Sequence, residues 1–332
     1  MTNHAAQSII RLSGISIAFL LCAAARLPAA ESAKPAKPIR QITPGKVIIP
    51  FEKMRRIWGE LVSVDLETRT GTFRAESEDK IYRFSVMPYA EMLHHATKGQ
   101  LRDFKIGERA IFRLHVNEAD EWYWLTYIQD EMNMLNGHKE YYFVETIDAT
   151  TGRIGFTWAK GDKSFIREKG LFLETDAETQ YWKDGKPAKF SDIKVGDKLR
   201  TKSHGNGKGR SRIAWHVFLD DASLLKFRDE QIAVHTAHLA KDGAPGYVDR
   251  VEGTEMDLTM FQNGLSLVEK LKPGTKVIVT PAGTNLKATG LGIPGQIVRI
   301  TARGNVRPLT LRLDRTAEGF EVPGVVRLRL ER

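Results

Sequence analysis

The chain has 332 residues, of which 42% are hydrophobic and 9% aromatic, with ordinary contents of glycine and proline. This composition excludes an intrinsically disordered protein, and the length favours two or three domains over one. Lysine and arginine outnumber aspartate and glutamate by 50 to 41, a net charge of +9 that favours anionic partners.

Residues 1–30 have the pattern of a cleavable export signal. His4 and Arg11 give a weakly basic start, an apolar run follows at Leu12–Ala25, and small residues suited to cleavage come next. The apolar run is short for a bilayer span, so a retained N-terminal anchor is the alternative interpretation. We therefore expect an exported protein, periplasmic or secreted, with no transmembrane span after signal cleavage.

The cysteine content excludes several kinds of function. Cys22 is the single cysteine and lies within the predicted signal, so the mature chain would have no disulfide, thiol nucleophile or cysteine-ligated metal. Leu20 and Leu21 precede it where a lipoprotein signal has a small residue, which argues against a lipid anchor. Residues 31–50 mix lysine, alanine and proline without periodicity, which predicts a flexible linker.

Three short phrases recur along the rest of the chain, and each leads into a β-rich run. They are FKIGERA at 104–110, IKVGDKL at 193–199 and LKPGTKV at 271–277. Two predicted strands joined by a polar turn precede each phrase. The glycine in each phrase is expected to make the tight turn that begins a strand. The spacing is similar in the first two copies and compressed in the third, which indicates three related modules.

Each of the first two modules has the pattern of five short strands and one connecting segment. In the first, strands are predicted at 80–86, 110–116 and 122–130 after the initial hairpin, and PYAEMLHHATKG at 88–99 is predicted to be a helical or irregular connection. Five strands with one connecting helix form the plan of a small Greek-key barrel of the OB type. The predicted fold class is mainly all-β, with tandem small five-stranded OB-like barrels and short connecting helices.

The repeated phrases also carry a resemblance to a known kind of protein. The pattern G-x-h-x-x-h-D, then T-G, then K-h-G-D/E-K/R (h, apolar) resembles the tandem OB-like repeats of exported bacterial proteins of uncharacterised function, over Trp58–Leu219. The resemblance implies an OB-like fold and export, and it implies no catalytic residues. The predicted domains are barrel 1 at 51–135, barrel 2 at 136–221, a connecting helix at 222–243 and a basic β-rich domain 3 at 244–332.

The predicted connecting helix contains the pattern closest to a metal site. Leu225, Ile232 and Leu239 form an apolar line, and a polar stripe beside it includes His235, His238 and Asp242. Two histidines one turn apart and a carboxylate are suitable ligands for Zn²⁺ or Cu²⁺. The alternative is a polar helix face between two barrels, because the stripe lacks the general-base glutamate of a metallohydrolase motif. The favoured expectation is no cofactor.

A second pair of histidines, His94 and His95, is a weaker candidate for a metal site. They are adjacent on a stretch predicted to be helical or irregular, and neighbouring residues of a helix diverge by about 100°. We therefore expect them not to face one ligand.

Cations are concentrated in two stretches without acids, at 198–219 and 270–313. Such segregation raises the local positive potential and predicts an anion-binding surface on modules 2 and 3. The candidate residues are Lys198, Arg200, Lys202, Lys208, Arg210, Arg212, Arg299, Arg303, Arg307 and Arg312. The loop SHGNGKGRSR at 203–212 lacks the order of a phosphate-binding loop, but it lies between strands four and five of the second barrel, where OB barrels contact ligands.

These patterns favour an exported, non-catalytic binding protein of several barrels. Its predicted ligand is an anionic polymer or an envelope component, bound by the basic surfaces of modules 2 and 3. The predicted export argues against cellular nucleic acid. One alternative is an envelope scaffold that binds other proteins. The other is a metal-binding protein or metal-dependent enzyme that uses His235, His238 and Asp242. The oligomeric state is left open.

Overall fold

The computed structural model describes residues 53–205, 207, 212–301 and 306–331. Within these residues the chain is mainly β, and three small closed barrels follow one another along it. This arrangement confirms the predicted fold class of tandem small barrels. The predicted signal peptide and linker lie outside the described residues, and so do Lys208, Arg210 and Arg303.

Barrel 1 has the strand order of an OB barrel. Its strands are β1 (Met54–Asp65), β2 (Thr70–Ala75), β3 (Ile81–His94), β4 (Thr97–Lys98), β5 (Arg109–Val116) and β6 (Trp122–Asp130). The barrel closes in the order β1-β2-β3-β6-β5, and β3 and β6 are parallel, whereas β4 only extends the sheet. The rings of Phe73 and Phe112 stack in the core with centroids 4.0 Å apart.

The stretch at 88–99 is not the expected helical connection. Strand β3 continues to His94, and buried and less buried residues alternate along its whole length. Pro88, Ala90 and Met92 therefore extend the inward-facing row that begins with Tyr82. A period of two is the pattern of a strand, so the prediction of a helix here was wrong.

Barrel 2 repeats the OB order. After the short helix α1 (Glu131–Gly137) come β7 (Glu140–Asp148), β8 (Arg153–Lys160), β9 (Ile166–Glu174), β10 (Gln180–Lys183), β11 (Lys186–Ala188), β12 (Lys198–His204) and β13 (Ile213–Phe218). The barrel closes in the order β7-β8-β9-β13-β12, with β9 and β13 parallel. The hairpin of β10 and β11 lies where the connecting segment was expected, and it adds to β13.

Helix α2 (Asp221–Asp242) lies between barrels 2 and 3 in the chain. It begins at Asp220, whose carboxylate accepts a hydrogen bond from Ser223 N at 2.7 Å, and it ends at Gly243, whose φ is 83°. The predicted apolar line is largely outside the packed face, since Leu225 and Ile232 are exposed and only Leu239 is buried. The rest of the packed face is supplied by Ser223, Leu224, Gln231 and His235.

Barrel 3 has six strands, and all of its pairings are antiparallel. They are β14 (Ala244–Glu252), β15 (Glu255–Met260), β16 (Lys276–Ala282), β17 (Ile293–Ile300), β18 (Arg307–Leu313) and β19 (Gly324–Leu330), with a short helix α3 (Leu265–Val268) after β15. The order is β14-β15-β18-β17-β16-β19, which departs from the five-stranded OB order of the first two barrels. Strand β19 pairs with both β14 and β16, so it closes this barrel.

The repeated glycine phrase forms the same turn in all three barrels. Gly107, Gly196 and Gly274 have φ angles of 86°, 94° and 90°, which favour glycine. In each turn, the residue after the glycine accepts a hydrogen bond from the lysine N–H three residues before it, with distances of 2.8–3.0 Å. The turn is therefore conserved in geometry in the third module, although the strand order around it differs.

Candidate functional site

A buried ionic cluster joins barrels 1 and 2. Lys202 of β12 extends its ammonium into barrel 1, where Nζ lies 2.7 Å from Nε2 of His94 and 2.7 Å from Nε2 of His95. The same Nζ lies 2.9 Å from Glu108 Oε1 and 3.7 Å from Asp130 Oδ2. We call these five residues the Lys202 cluster.

Local backbone geometry places the two histidines side by side. His94 ends β3, and His95 has a φ of 48°, which turns the chain sharply at this point. The rings stack with centroids 4.0 Å apart, and Asp130 Oδ2 accepts a hydrogen bond from His95 N at 2.8 Å. The expectation that His94 and His95 diverge was wrong, because the positive φ of His95 turns the chain out of the strand and brings the two rings together.

The hydrogen bonds assign the protons of the cluster. An ammonium can only donate, so Nε2 of both histidines accepts from Lys202 and carries no proton. Nδ1 of His94 then donates to Gln231 Oε1 at 3.0 Å. Gln231 in turn donates from Nε2 to Asp103 Oδ2 at 2.9 Å, so helix α2 fixes the ring through this one side chain.

Burial and the lysine charge shift the neighbouring groups. Burial, reinforced by the positive charge of Lys202, lowers the pKa of His95 far below its usual value. Burial by itself would raise the pKa of Glu108, but the positive charge of Lys202, helped by a hydrogen bond from the Lys105 backbone N–H, lowers it. At Asp130 burial prevails over Lys202, and the pKa is raised.

The Lys202 cluster contains the residues that most resemble metal ligands in the described part of the chain. One ligand atom each of His94, His95 and Asp130 lies within 4.8 Å of the others. These donors surround the Lys202 ammonium, which supplies the positive charge that a metal ion would otherwise bring. Lys202 is 2% exposed and Glu108 0%, so the charged centre of the cluster is buried, while His95 at its edge is half-buried. Its geometry fits a structural connection between barrels.

A second buried network runs beside the first. Arg109 donates to Glu76 and, at 2.6 Å, to Glu131 Oε1, which also accepts from Tyr142 Oη at 2.5 Å. The other carboxylate oxygen of Glu131 accepts from Thr201 at 3.0 Å and from Ser203. Barrel 1, helix α1 and barrel 2 thus share one set of hydrogen bonds.

The predicted anion-binding residues of barrel 2 occupy different environments. Lys198 is exposed, whereas Arg200 is 6% exposed and its Nη1 lies 2.6 Å from Asp221 Oδ1. Lys202 is buried in the Lys202 cluster, and Arg212 is half-buried. Lys202 therefore contributes nothing to a basic surface.

The predicted cations of barrel 3 lie next to acids from other strands. Arg299 and Arg312 are exposed, but Arg312 lies opposite Glu255 across β15 and β18. Arg299 donates to Thr310, which itself donates to Asp257. Arg307 lies 3.7 Å from Glu269. The acid-free stretch of sequence does not form an acid-free surface.

Two of the three predicted metal ligands of α2, His235 and Asp242, have another hydrogen-bond partner, whereas the buried Nδ1 of His238 has none within the described residues. His235 Nε2 lies 2.9 Å from the carbonyl oxygen of Asn263, which fixes it as the donor. His238 Nδ1 lies 3.9 Å from Asp103 Oδ1, and Asp242 accepts from Arg102 at 2.7 Å. These contacts use the polar stripe to attach the helix to barrels 1 and 3.

The outer face of barrel 2 combines aromatic rings with cations, which the sequence patterns did not reveal. Arg200 lies 4.1 Å above the ring of Tyr141, and Arg153 lies 3.9 Å above Phe172. Lys163 and Lys198 lie 4.8 Å and 5.7 Å from the centroid of Phe143. We call these three rings with their four cations the barrel 2 aromatic face. The cations come from three separate segments, β8, the loop after it and β12, so no short motif marks the whole set.

No protein-family model matches this sequence, and a search of curated proteins finds no match. None of the helices in the described residues is both long and apolar enough to cross a membrane.

Proposed function

We propose that this is an exported, non-catalytic binding protein, and that the barrel 2 aromatic face binds an anionic polymer. The single observation that carries the proposal is the set of cations above rings of β7 and β9. Arg153, Lys163 and Lys198 are the exposed cations of this set, whereas Arg200 is buried against Asp221 and the ring of Phe143 is covered by its two lysines. Aromatic faces provide stacking surface and cations provide attraction for acidic groups, a combination typical of extended anionic ligands.

The position of this face within the fold supports the same function. OB barrels bind oligosaccharides and oligonucleotides on their second and third strands and on the loops beside them. In barrel 2 those strands are β8 and β9, which carry Arg153 and Phe172. Phe172 is 45% exposed, so its ring is accessible to a ligand.

A binding titration at several salt concentrations tests the proposal. A sulfated polysaccharide serves as the polyanion probe, with single-stranded DNA as a second arm. We expect affinity to fall steeply between about 50 and 200 mM salt, as it does when several cations contact a polyanion. The double variant R153Q/K163Q should weaken binding by about tenfold or more and reduce the salt slope by roughly two.

The control variant removes two exposed cations from barrel 3, at Lys276 and Arg312. K276Q/R312Q lowers the net charge by the same amount but leaves the barrel 2 aromatic face intact, so it should bind almost as well as the wild type. A salt-independent affinity, or an equal loss in both double variants, would contradict the proposed site.

An envelope scaffold is the second candidate function, and the exposed apolar residues of the β8–β9 hairpin favour it. Phe165, Ile166 and Phe172 are 51%, 41% and 45% exposed. A protein partner bound mainly by apolar contact would depend little on salt. The substitution F172A should then weaken partner binding more than R153Q/K163Q does, which separates the two functions.

A further inference from the structure

A cavity of about 550 Å³ opens between barrel 1, helix α2 and barrel 3. Its walls are apolar at several places, including Met92 and Leu239, and its polar lining is unbalanced in charge. Four cations and two carboxylates line it. We call it the junction cavity, and it is separate from the barrel 2 aromatic face.

The two carboxylates of the junction cavity already have cationic partners. Asp242 accepts from Arg102 at 2.7 Å, and Glu67 is paired with Lys287. The other two cations are Arg69 and Arg327. Arg327 donates to the backbone carbonyls of Asp242, Leu286 and Gly243, so it neutralises the C-terminal end of α2.

Among the four cations of the junction cavity, Arg69 has neither a carboxylate partner in the described residues nor the three carbonyl bonds that hold Arg327. Its guanidinium makes one long hydrogen bond, 3.4 Å from Nη2 to the carbonyl oxygen of Met87, and its buried Nε has no hydrogen-bond partner. Burial, followed by the nearby charge of Arg327, lowers the pKa of Arg69 to about 10. An arginine remains charged at neutral pH even so, and a desolvated charge without a counterion is unfavourable.

His235 provides a second unsatisfied group in the wall. Its Nε2 donates to the Asn263 carbonyl, so Nδ1 carries a lone pair, and this buried Nδ1 has no hydrogen-bond partner. Both residues line the cavity, so it contains a guanidinium that needs an anion and, just beneath the surface of its wall, an imidazole nitrogen that needs a donor. A monoprotonated phosphate group satisfies both, because its oxygens accept from arginine and its hydroxyl donates. A carboxylate satisfies only the first.

We propose that the junction cavity is a binding site for a small molecule bearing a phosphate group, held by Arg69 and His235. The guanidinium of Arg69 forms charge-assisted hydrogen bonds to the phosphate oxygens. The apolar wall around Leu239 and Met92 accommodates the remainder of the molecule. This site is independent of the polymer-binding function proposed above.

Calorimetric titration of the full chain with inorganic phosphate tests the proposal, with sodium chloride keeping the ionic strength constant and sodium acetate as a parallel arm. We expect phosphate to bind and acetate to bind at least about tenfold more weakly, since one charge-assisted hydrogen bond corresponds to about that ratio. Arg69→Gln should lower the phosphate association constant by about tenfold or more. Arg83→Gln, which removes an exposed cation from the same barrel, should leave it within about twofold of the wild type.

The melting temperature without ligand separates a binding arginine from a structural one. If Arg69 binds an anion and has no structural partner, Arg69→Gln removes an unpaired buried charge. The melting temperature of this variant should then equal or exceed that of the wild type. A drop of several degrees, unchanged phosphate binding in Arg69→Gln, or equal binding of acetate would each overturn the proposal. R153Q/K163Q should bind phosphate as the wild type does, and Arg69→Gln should bind polyanion as the wild type does. Each proposed site can therefore be disproved without affecting the other.

Discussion

Lys202 is the residue on which the contact between barrels 1 and 2 most depends. Its ammonium neutralises Glu108 and satisfies the lone pairs of two histidines, and Lys202, Glu108 and His94 are all buried. A buried ion pair adds little net stability over an apolar substitute, because both ions lose their hydration. Removal of one partner is costly, however, since it leaves the other charge buried and alone.

The substitution Lys202→Met should therefore destabilise the protein by about 3–5 kcal/mol. Methionine has a similar length but no charge, so Glu108 and Asp130 would remain buried without a cation. Urea unfolding measures the effect, and Lys198→Met on the same strand is the matched control because Lys198 is exposed. A difference of less than about 1 kcal/mol between the two variants would mean that the cluster relaxes without the lysine.

His216 predicts a loss of stability in acid. It accepts a hydrogen bond from Trp182 Nε1 at 3.2 Å, and burial, followed by the charge of Lys202, lowers its pKa from 6.5 to about 4. The unfolded state takes up the proton first as the pH falls. The contribution of neutral His216 to the free energy of unfolding is therefore complete above pH 6.5. It is lost progressively towards pH 4, by up to about 1.4 kcal/mol per pH unit.

The substitution His216→Gln isolates this contribution. Glutamine keeps an acceptor for Trp182 but does not titrate, so the dependence of unfolding free energy on pH should become less steep between pH 6.5 and 4. Urea unfolding at several pH values measures the slope, and the exposed His138→Gln is the control. An identical slope in wild type and His216→Gln would show that other groups cause the acid sensitivity.

In the middle of helix α2 a polar side chain is buried and its apolar neighbour is exposed, the reverse of the usual arrangement. Gln231 is 5% exposed and bonded to His94 and Asp103, whereas the neighbouring Ile232 is 43% exposed. Barrel 1 presents an imidazole and a carboxylate to the helix, and barrel 3 presents the Asn263 carbonyl. The middle of the packed helix face, at Gln231 and His235, is therefore polar, between the buried Leu224 and Leu239.

Adjacent substitutions test this reversal. Gln231→Leu should cost about 1–3 kcal/mol, because it leaves the Asp103 carboxylate and His94 Nδ1 without their partner in a buried place. Ile232→Lys should change stability by no more than about 0.5 kcal/mol, because the side chain is largely in solvent. Urea unfolding measures the loss of stability in each variant. A larger loss in Ile232→Lys than in Gln231→Leu would mean that the apolar line packs against the barrels.

The sequence predicts features that depend on neighbouring residues better than features that depend on contacts between distant residues. The turns at Gly107, Gly196 and Gly274 are local, and the sequence predicts all three because the φ requirement and the flanking residues are contiguous. The boundaries of α2 are local too, set by Asp220 and Gly243. The partners of its polar stripe come from residues more than a hundred positions away or from the next barrel, so periodicity alone could not identify its buried face.

The charge pattern shows the same limit. Residues 198–219 contain no acid in sequence, yet Lys202 meets Glu108 and Asp130, which lie in another barrel. Strand pairing likewise places Glu255 opposite Arg312. Charge segregation along the chain predicts a basic surface only when neighbouring strands are also free of acids. Lys198 and Arg200 of the barrel 2 aromatic face are among the cations that the sequence predicts, but Arg153, Lys163 and the ring beneath each cation become apparent only once the strands are paired.

At the scale of the whole molecule, barrels 1 and 2 form a tighter unit than either forms with barrel 3. Trp58 and Ile111 of barrel 1 pack against the core of barrel 2, and the rings of Trp58 and Trp158 lie 6.4 Å apart. The Lys202 cluster and the Glu131 network cross the same boundary. Barrel 3 has its own apolar core, to which Leu239 of α2 contributes.

This division predicts that barrel 3 unfolds separately, and the tryptophans make the prediction measurable. All six tryptophans lie between residues 58 and 215, so their fluorescence reports barrels 1 and 2, whereas calorimetry reports all three.

Leu258→Ala in the core of barrel 3 should cost about 2–5 kcal/mol and lower one calorimetric transition by roughly 10 °C or more, with little change in the fluorescence midpoint. Leu114→Ala, a matched deletion in the core of barrel 1, should lower the fluorescence midpoint instead. If Leu258→Ala shifts fluorescence as much as Leu114→Ala does, the contacts across the junction cavity are strong enough to make the three barrels unfold as one.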